Sequence, residues 1–258
     1  MPRALITGAS KGIGRAIAEH LAKMHIDLLL VARSEDLLKE AAETLQQTYG
    51  IKADYLAIDL SMDNAANRIF DWCVSKEYTI NILINNAGYG LSGQFQNHSL
   101  LRHLDVMKIN MNVPVELCYY FFPMLLDQPE AYILNIASQA SFQAVPGLNI
   151  YAASKAFLQS FSRGLQYELR KTKVSVTVVY PGSTDTNFAE TAKVGPRAIK
   201  ASHTFNMSAD KVAEASLNAM FSRKTEATIG FINKVGQFLV WLMPKKVSER
   251  AAGNLYEV

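Results

Sequence analysis

Cysteine is scarce: Cys73 and Cys118 are the only two in 258 residues, far apart and without metal-type spacing. That excludes a disulfide scaffold, and the pair reads as small buried hydrophobes of a reducing compartment. No uncharged apolar run approaches the ~20 residues that a spanning helix needs. Excess charge is lacking too. Lys and Arg number 26 against 23 Asp and Glu, with no basic cluster, so no nucleic-acid partner is expected. Gly (14) and Pro (8) are too few for a fibrous or disordered chain. The histidines are scattered, and although His98 and His103 lie close together no metal site is expected. Arg3–Thr7 already reads as a strand, which leaves no room for a signal peptide before it; a cytoplasmic location is expected.

What is present is a core and a rhythm. Hydrophobic residues make up 49% of the chain and charged residues 19%, enough for a sizeable interior. Val-, Ile- and Leu-rich runs at 4–7, 26–31, 55–58, 80–84, 132–136 and 174–179 show little polar alternation, as strands buried on both faces do. Helical patterns lie between them near 12–24, 35–49, 63–76, 99–126, 151–172 and 208–222. This alternation predicts an α/β fold, a parallel sheet with helices on both faces. Ligands of such sheets bind beyond the carboxyl ends of the strands. The segments that follow the runs are polar, Gly-containing or otherwise special each time: Thr7–Gly14, Arg33–Ser34, Asp59–Leu60, Asn85–Gly88, Ser138 and Pro181–Gly182.

Three constellations carry chemistry. Gly8, Gly12 and Gly14 follow the first strand and open the first helix. Glycine there permits a tight turn and close backbone approach, and the helix start offers N–H groups and a positive dipole to a pyrophosphate. About 20 residues further on, an NAD-binding fold expects an acid for the ribose 2′-hydroxyl. Arg33 and Ser34 stand there instead, and Arg33 can fork onto a 2′-phosphate with Lys11 adding charge, so NADP(H) is expected over NAD(H). Glu35 and Asp36 read as first-turn acids behind a Ser34 N-cap. Tyr151 and Lys155, four apart, share a helix face, with Ser138 thirteen residues before Tyr151. A neighbouring ammonium lowers a phenol from its usual pKa of about 10 toward acid–base use.

Taken in order, TGASKGIG (7–14), Asp59, NNAG (85–88), KIN (108–110), NIAS (135–138), YAASK (151–155) and PGSTDT (181–186) resemble the short-chain dehydrogenase/reductase family, in its subgroup of about this length. The resemblance implies a Rossmann-type doubly wound, mostly parallel sheet of about seven strands. It implies a catalytic tetrad of Asn110, Ser138, Tyr151 and Lys155. Tyr151 would exchange the proton, Lys155 would hold the nicotinamide ribose and tune Tyr151, Ser138 would polarise the carbonyl, and Asn110 would anchor a water leading to Lys155. Cofactor contacts are implied at Gly8, Ser10, Lys11, Gly12, Ile13, Gly14, Arg33, Ser34, Asp59, Leu60, Asn86, Ala87, Gly88, Tyr151, Lys155, Pro181, Gly182, Thr184 and Thr186.

A single NAD(P)-binding catalytic domain is expected over 1–230, with an apolar extension over 231–258 packed on it. The run Phe238–Met243 is expected to cover the last sheet edge and part of the cleft, and membrane contact is disfavoured because Asn233, Lys234 and Gln237 interrupt the apolar face. Tyr89, Phe142, Phe188 and Phe205 are candidates for an apolar pocket or for core. The expected function is NADPH-dependent reduction of an apolar, lipid-like or 3-oxoacyl ketone, or the reverse alcohol oxidation. An NAD-linked alcohol dehydrogenase and a non-catalytic NADP-binding redox sensor stay open as alternatives. A homodimer or homotetramer is expected, the dimer meeting through the helices near 99–126 and 151–172.

Overall fold

Strands bury both faces where their residues are apolar on both faces, and every residue of β2 (Asp27–Ala32), β5 (Ala131–Ile136) and β6 (Val174–Tyr180) is buried. The computed structural model describes residues 2–186, 188–204 and 206–256; Phe205 lies outside the described residues. With β1 (Arg3–Thr7), β3 (Ala53–Ala57), β4 (Ile82–Asn85) and β9 (Glu226–Thr228) they form one seven-stranded sheet, ordered β3-β2-β1-β4-β5-β6-β9. Every pair in it is parallel. Two short strands, β7 (Thr184–Asp185) and β8 (Met207–Ser208), pair separately.

Helices fill both faces. Leu28 and Leu30 point to the layer of α1 (Gly12–Lys23), α2 (Glu35–Tyr49) and α9 (Ala209–Phe221), where Ile17, Leu21, Leu45 and Met220 pack. Leu29 and Val31 point to the other layer, built from α3 (Ala65–Ser75) and α5 (Val113–Leu126) with Ile69, Leu117 and Phe121, and closed by α6 (Asn149–Leu169). Each such fully buried side chain contributes about 1.5–3 kcal/mol. Cys73 and Cys118 sit in this second layer, where burial pushes both thiols up to about 12. The strand order reverses between β1 and β4, and a ligand crevice belongs beyond that point.

Two departures from the sequence pattern matter for the site. The helical stretch 99–126 is not continuous: α4 (Leu100–Met107) passes into a π turn over Lys108–Asn112 before α5 begins. Pro114 is the cause. It has no N–H to give the carbonyl four residues back, that of Asn110, and the chain widens so that Val113 N–H bonds the Lys108 carbonyl.

The second departure is at the C-terminal end, beyond α7 (Phe188–Thr191), α8 (Pro196–Thr204) and β9. Helix α10 (Phe231–Leu242) turns its polar side inward, with Asn233 donating to the Ile229 carbonyl at 2.6 Å and Thr228 bonded to Gln237. The run expected to cover the sheet edge therefore faces outward, Phe238 at 58% and Trp241 at 77% exposure. Helix α11 (Lys245–Tyr256) packs instead, placing Ala252 with Val145, Leu148 and Ala152, and Tyr256 alongside them.

Candidate active site

Thr7 ends β1 with its hydroxyl buried, accepting the N–H groups of Asn86 and Ala87, both at 3.1 Å. Asn86 Nδ2 returns bonds to the carbonyls of Thr7 (2.9 Å) and Gly8 (3.2 Å), so the loops after β1 and β4 are locked together. Gly8 and Gly12 adopt positive φ, 68° and 56°, which a side chain would strain. A Cβ on Gly14 would sit on the Gly8 carbonyl oxygen and Asn86 Nδ2. A Cβ on Gly12 would come within 3.0 Å of Thr186 Cγ2, so the segment after β6 closes over the turn. Lys11 is the N-cap of α1, and no side chain caps this helix. Its first N–H groups and dipole are left for an anion, and the fit to a dinucleotide pyrophosphate is good.

Further along the same sheet edge, Arg33 and Ser34 are exposed at the end of β2. Arg33 forms no ion pair among the described residues. Ser34 holds the N-cap position of α2, but its side chain makes no cap bond, contrary to the sequence pattern; its hydroxyl is free for a ligand. Asp59 accepts the Ser61 N–H at 2.9 Å, and that bond first, with the Arg33 guanidinium adding to it, holds its carboxyl below the usual range. Leu60 and Ile13 differ from the rest. Leu60 is buried in the core layer of α3 and α5, which leaves its backbone for a ligand, and Ile13, partly buried, packs against the core layer on the other face of the sheet.

The structure brings Asn110, Ser138, Tyr151 and Lys155 to one place. The π turn carries Asn110, fully buried, whose Nδ2 donates to the Tyr89 carbonyl and to Ser154 Oγ, both at 3.0 Å, while its Oδ1 accepts Tyr89 N–H. Ser154 in turn donates to the Tyr151 carbonyl at 2.7 Å. Lys155 Nζ donates to the Ile136 carbonyl at 2.8 Å and lies 5.8 Å from the centre of the Tyr151 ring. Gly88 leaves the gap: a Cβ there would stand 3.0 Å from Asn110 Oδ1 and 3.1 Å from Lys155 Nζ. Phe188 stacks obliquely on Tyr151 at 5.0 Å.

Electrostatics here run partly against the sequence pattern. Burial pushes the Tyr151 phenol up to about 12, with the Ser138 hydroxyl opposing that shift and Tyr256 adding to it. Lys155 does not lower the phenol in this state; burial brings its own ammonium down to about 8. The phenol is held neutral, while the ammonium stays mostly charged at neutral pH with less margin than a free lysine has, and a bound anionic ligand would raise it again.

The sequence profile of short chain dehydrogenases matches residues 2–195. The chain belongs to the short-chain dehydrogenase family. An uncharacterized oxidoreductase of Staphylococcus saprophyticus is 30% identical over 217 residues, covering 84% of this chain and 90% of that protein. The very-long-chain 3-oxoacyl-CoA reductase of Rattus norvegicus is 33% identical over 197 residues, 74% of this chain and 62% of the rat protein. A short-chain dehydrogenase from Sphingobium yanoikuyae, solved in complex with NADPH, superposes with a TM-score of 0.81 at 28% identity, covering 95% of this chain and 97% of that one.

Several residues of this family site carry no signal in the one-dimensional pattern. Ser154 and the Tyr89 backbone brace Asn110, yet they are far from it in sequence and only the fold joins them. Asn85 and Asn135, at the ends of β4 and β5, bond at 2.8 Å, and Asn135 continues to Ser162 at 2.8 Å, tying α6 to the sheet below Lys155. The three candidate aromatics among the described residues divide. Phe188 borders Tyr151, Phe142 packs on Tyr180 at 4.6 Å, and Tyr89 leans on the core. His98 and His103 each bond a backbone carbonyl at 2.9 Å, those of Ser92 and Phe95.

Proposed function

We propose that this oxidoreductase is an NADPH-dependent carbonyl reductase acting on an apolar ketone, reversibly an alcohol dehydrogenase. The observation that carries this reading is the meeting of Ser138, Tyr151 and Lys155 on the sheet edge that also holds the Gly-lined, uncapped start of α1, the loop 86–88 touching both. The bound nicotinamide would supply the hydride. The chain's part is to place a carbonyl oxygen between Ser138 Oγ and the Tyr151 hydroxyl, with the phenol giving its proton to that oxygen. Lys155 would bond the ribose hydroxyls and share charge with Tyr151; Asn110, fixed by Tyr89 and Ser154, would hold a water on the path to Lys155. Gly8, Ser10, Lys11, Gly12, Ile13 and Gly14 would hold the pyrophosphate, Asp59, Leu60 and Asn86–Gly88 the adenosine, and Pro181–Thr186 the nicotinamide side. Phe188, Leu148 and Tyr256 give the cleft an apolar wall, and similarity to a 3-oxoacyl-CoA reductase supports a lipid-like ketone. Exposed Leu101, Leu104, Tyr119, Phe157 and Tyr167 on α4, α5 and α6 support a homodimer through those helices.

The 2′-phosphate preference rests on Arg33 and Ser34. A hydrogen bond to a charged group contributes roughly 1.5–3 kcal/mol, about ten- to a hundred-fold in affinity. Arg33→Ala is expected to weaken NADPH by about that factor and to leave NADH nearly unchanged, as titration of cofactor fluorescence would show. Equal losses for both cofactors would contradict the assignment.

A further inference from the structure

Helix α10 presents its apolar arc to solvent. Phe231, Ile232, Phe238, Leu239, Trp241 and Leu242 are 47–79% exposed, while Asn233 and Gln237 on the opposite side are bonded to the end of β9 and the residue after it. Contiguous exposed apolar surface with a polar rim marks a contact face. The segment that carries it is basic. Between 231 and 256 the exposed bases Lys234, Lys245, Lys246 and Arg250 stand against the acid Glu249 alone.

A second copy of the chain suits this segment poorly, because a symmetric pairing would set Lys234, Lys245, Lys246 and Arg250 against the same bases of the other copy, with Glu249 the one acid between 231 and 256. An anionic lipid surface carries the opposite charge: an apolar arc with Trp and Phe sinks to the headgroup level, and flanking Lys side chains reach up to anionic phosphates. No described helix is long and apolar enough to cross a membrane, so the contact is with one surface. We propose that α10 docks this protein on an anionic lipid surface, with Phe231, Phe238, Trp241 and Leu242 entering the headgroup region and Lys234, Lys245 and Lys246 meeting phosphates. Membrane contact looked disfavoured in the sequence because Asn233, Lys234 and Gln237 break the run. The fold turns Asn233 and Gln237 inward, which leaves only Lys234 in the outer arc.

The same face borders the candidate site. A groove of about 320 Å³, lined by Phe142, Lys234, Gln237, Phe238, Val240 and Trp241, runs between α10 and the 3-10 turn that Ser138 caps. A docked molecule would hold this groove, apolar but for Lys234 and Gln237, against the lipid.

The test is sedimentation of the full chain with vesicles of phosphatidylcholine alone or mixed with phosphatidylglycerol. Each basic residue at an anionic surface is worth about five-fold in partitioning, so binding to the anionic vesicles is expected to be at least about ten-fold tighter and to weaken with salt. The double variant Phe238→Asp, Trp241→Asp should lose at least about ten-fold in binding with its Tm preserved, because both side chains stand in solvent. Lys245→Glu with Lys246→Glu should abolish the preference for anionic vesicles. Failure to bind them, or binding that the aspartates leave intact, would overturn the proposal. So would a dimer, dissolved by the aspartates, in a protein that binds no vesicle; the face would then belong to a second copy. No arm reads activity, so the outcome is separate from that of the carbonyl-reductase reading.

Discussion

Tyr151→Phe is expected to lower kcat for ketone reduction by at least about a hundred-fold, since general acid catalysis typically contributes 10²–10⁴-fold. The variant keeps the ring, and with it the contact to Phe188 at 5.0 Å and the approach of Lys155 at 5.8 Å. NADPH should therefore still bind, which titration of the variant would establish beside the rate. A variant keeping a tenth of the activity would mean that the proton comes from elsewhere. The pH profile follows from the same residues. Tyr151, raised from its ordinary 10 to about 12, keeps its proton throughout the working range. Lys155, lowered from 10.5 to about 8, is charged below that pH and neutral above it. Because kcat/KM for NADPH reports groups of the free enzyme, it should fall as pH rises past about 8, on the alkaline side only.

Gly14→Ala is expected to damage both cofactor binding and stability. Its Cβ would overlap the Gly8 carbonyl oxygen and Asn86 Nδ2 at the point where the β1 and β4 loops are locked. A backbone carbonyl cannot step aside as a flexible side chain can, and overpacking of this kind costs about 1–3 kcal/mol. For a chain of this size that lowers Tm by roughly 2–12 °C. Opening the turn also misaims the first N–H groups of α1, so affinity for NADPH should fall at least about ten-fold. Gly236→Ala is the contrast. Nothing lies within 4 Å of its Cβ position in α10, and alanine there should be neutral or stabilising by up to about 1 kcal/mol. Equal melting and NADPH affinity for Gly14→Ala and the parent would show that the turn is looser than described.

Most of the sheet was legible in the sequence because its central strands are mainly apolar and buried on both faces, as the runs 26–31 and 174–179 are; β3 and β9, partly exposed, carry a weaker signal. The turn at 7–14 and the pair Tyr151 and Lys155 were legible because their spacing is itself the mechanism, a glycine cradle and a shared helix face. Three features were not. The π turn at Asn110 depends on a proline four residues later whose missing N–H matters only once the helix exists. Leu60 sits in a ligand-facing segment, yet its side chain turns to the core, a choice made by sheet packing. The outward face of α10 was hidden because an apolar run ordinarily points inward; here the carbonyl of Ile229 and the hydroxyl of Thr228 hold Asn233 and Gln237, and those bonds set the helix rotation.

Turnover, not mere occupancy, is proposed at Ser138, Tyr151 and Lys155. The decisive measurement is NADPH consumption with the purified full chain over a panel of ketones graded from small and polar to long and apolar, with the alcohol product quantified in each. One alcohol is expected per NADPH oxidised, with kcat/KM rising toward the apolar end of the panel. NADPH that binds tightly but is consumed with no carbonyl in the panel would contradict it and would leave the chain a binder of the nucleotide.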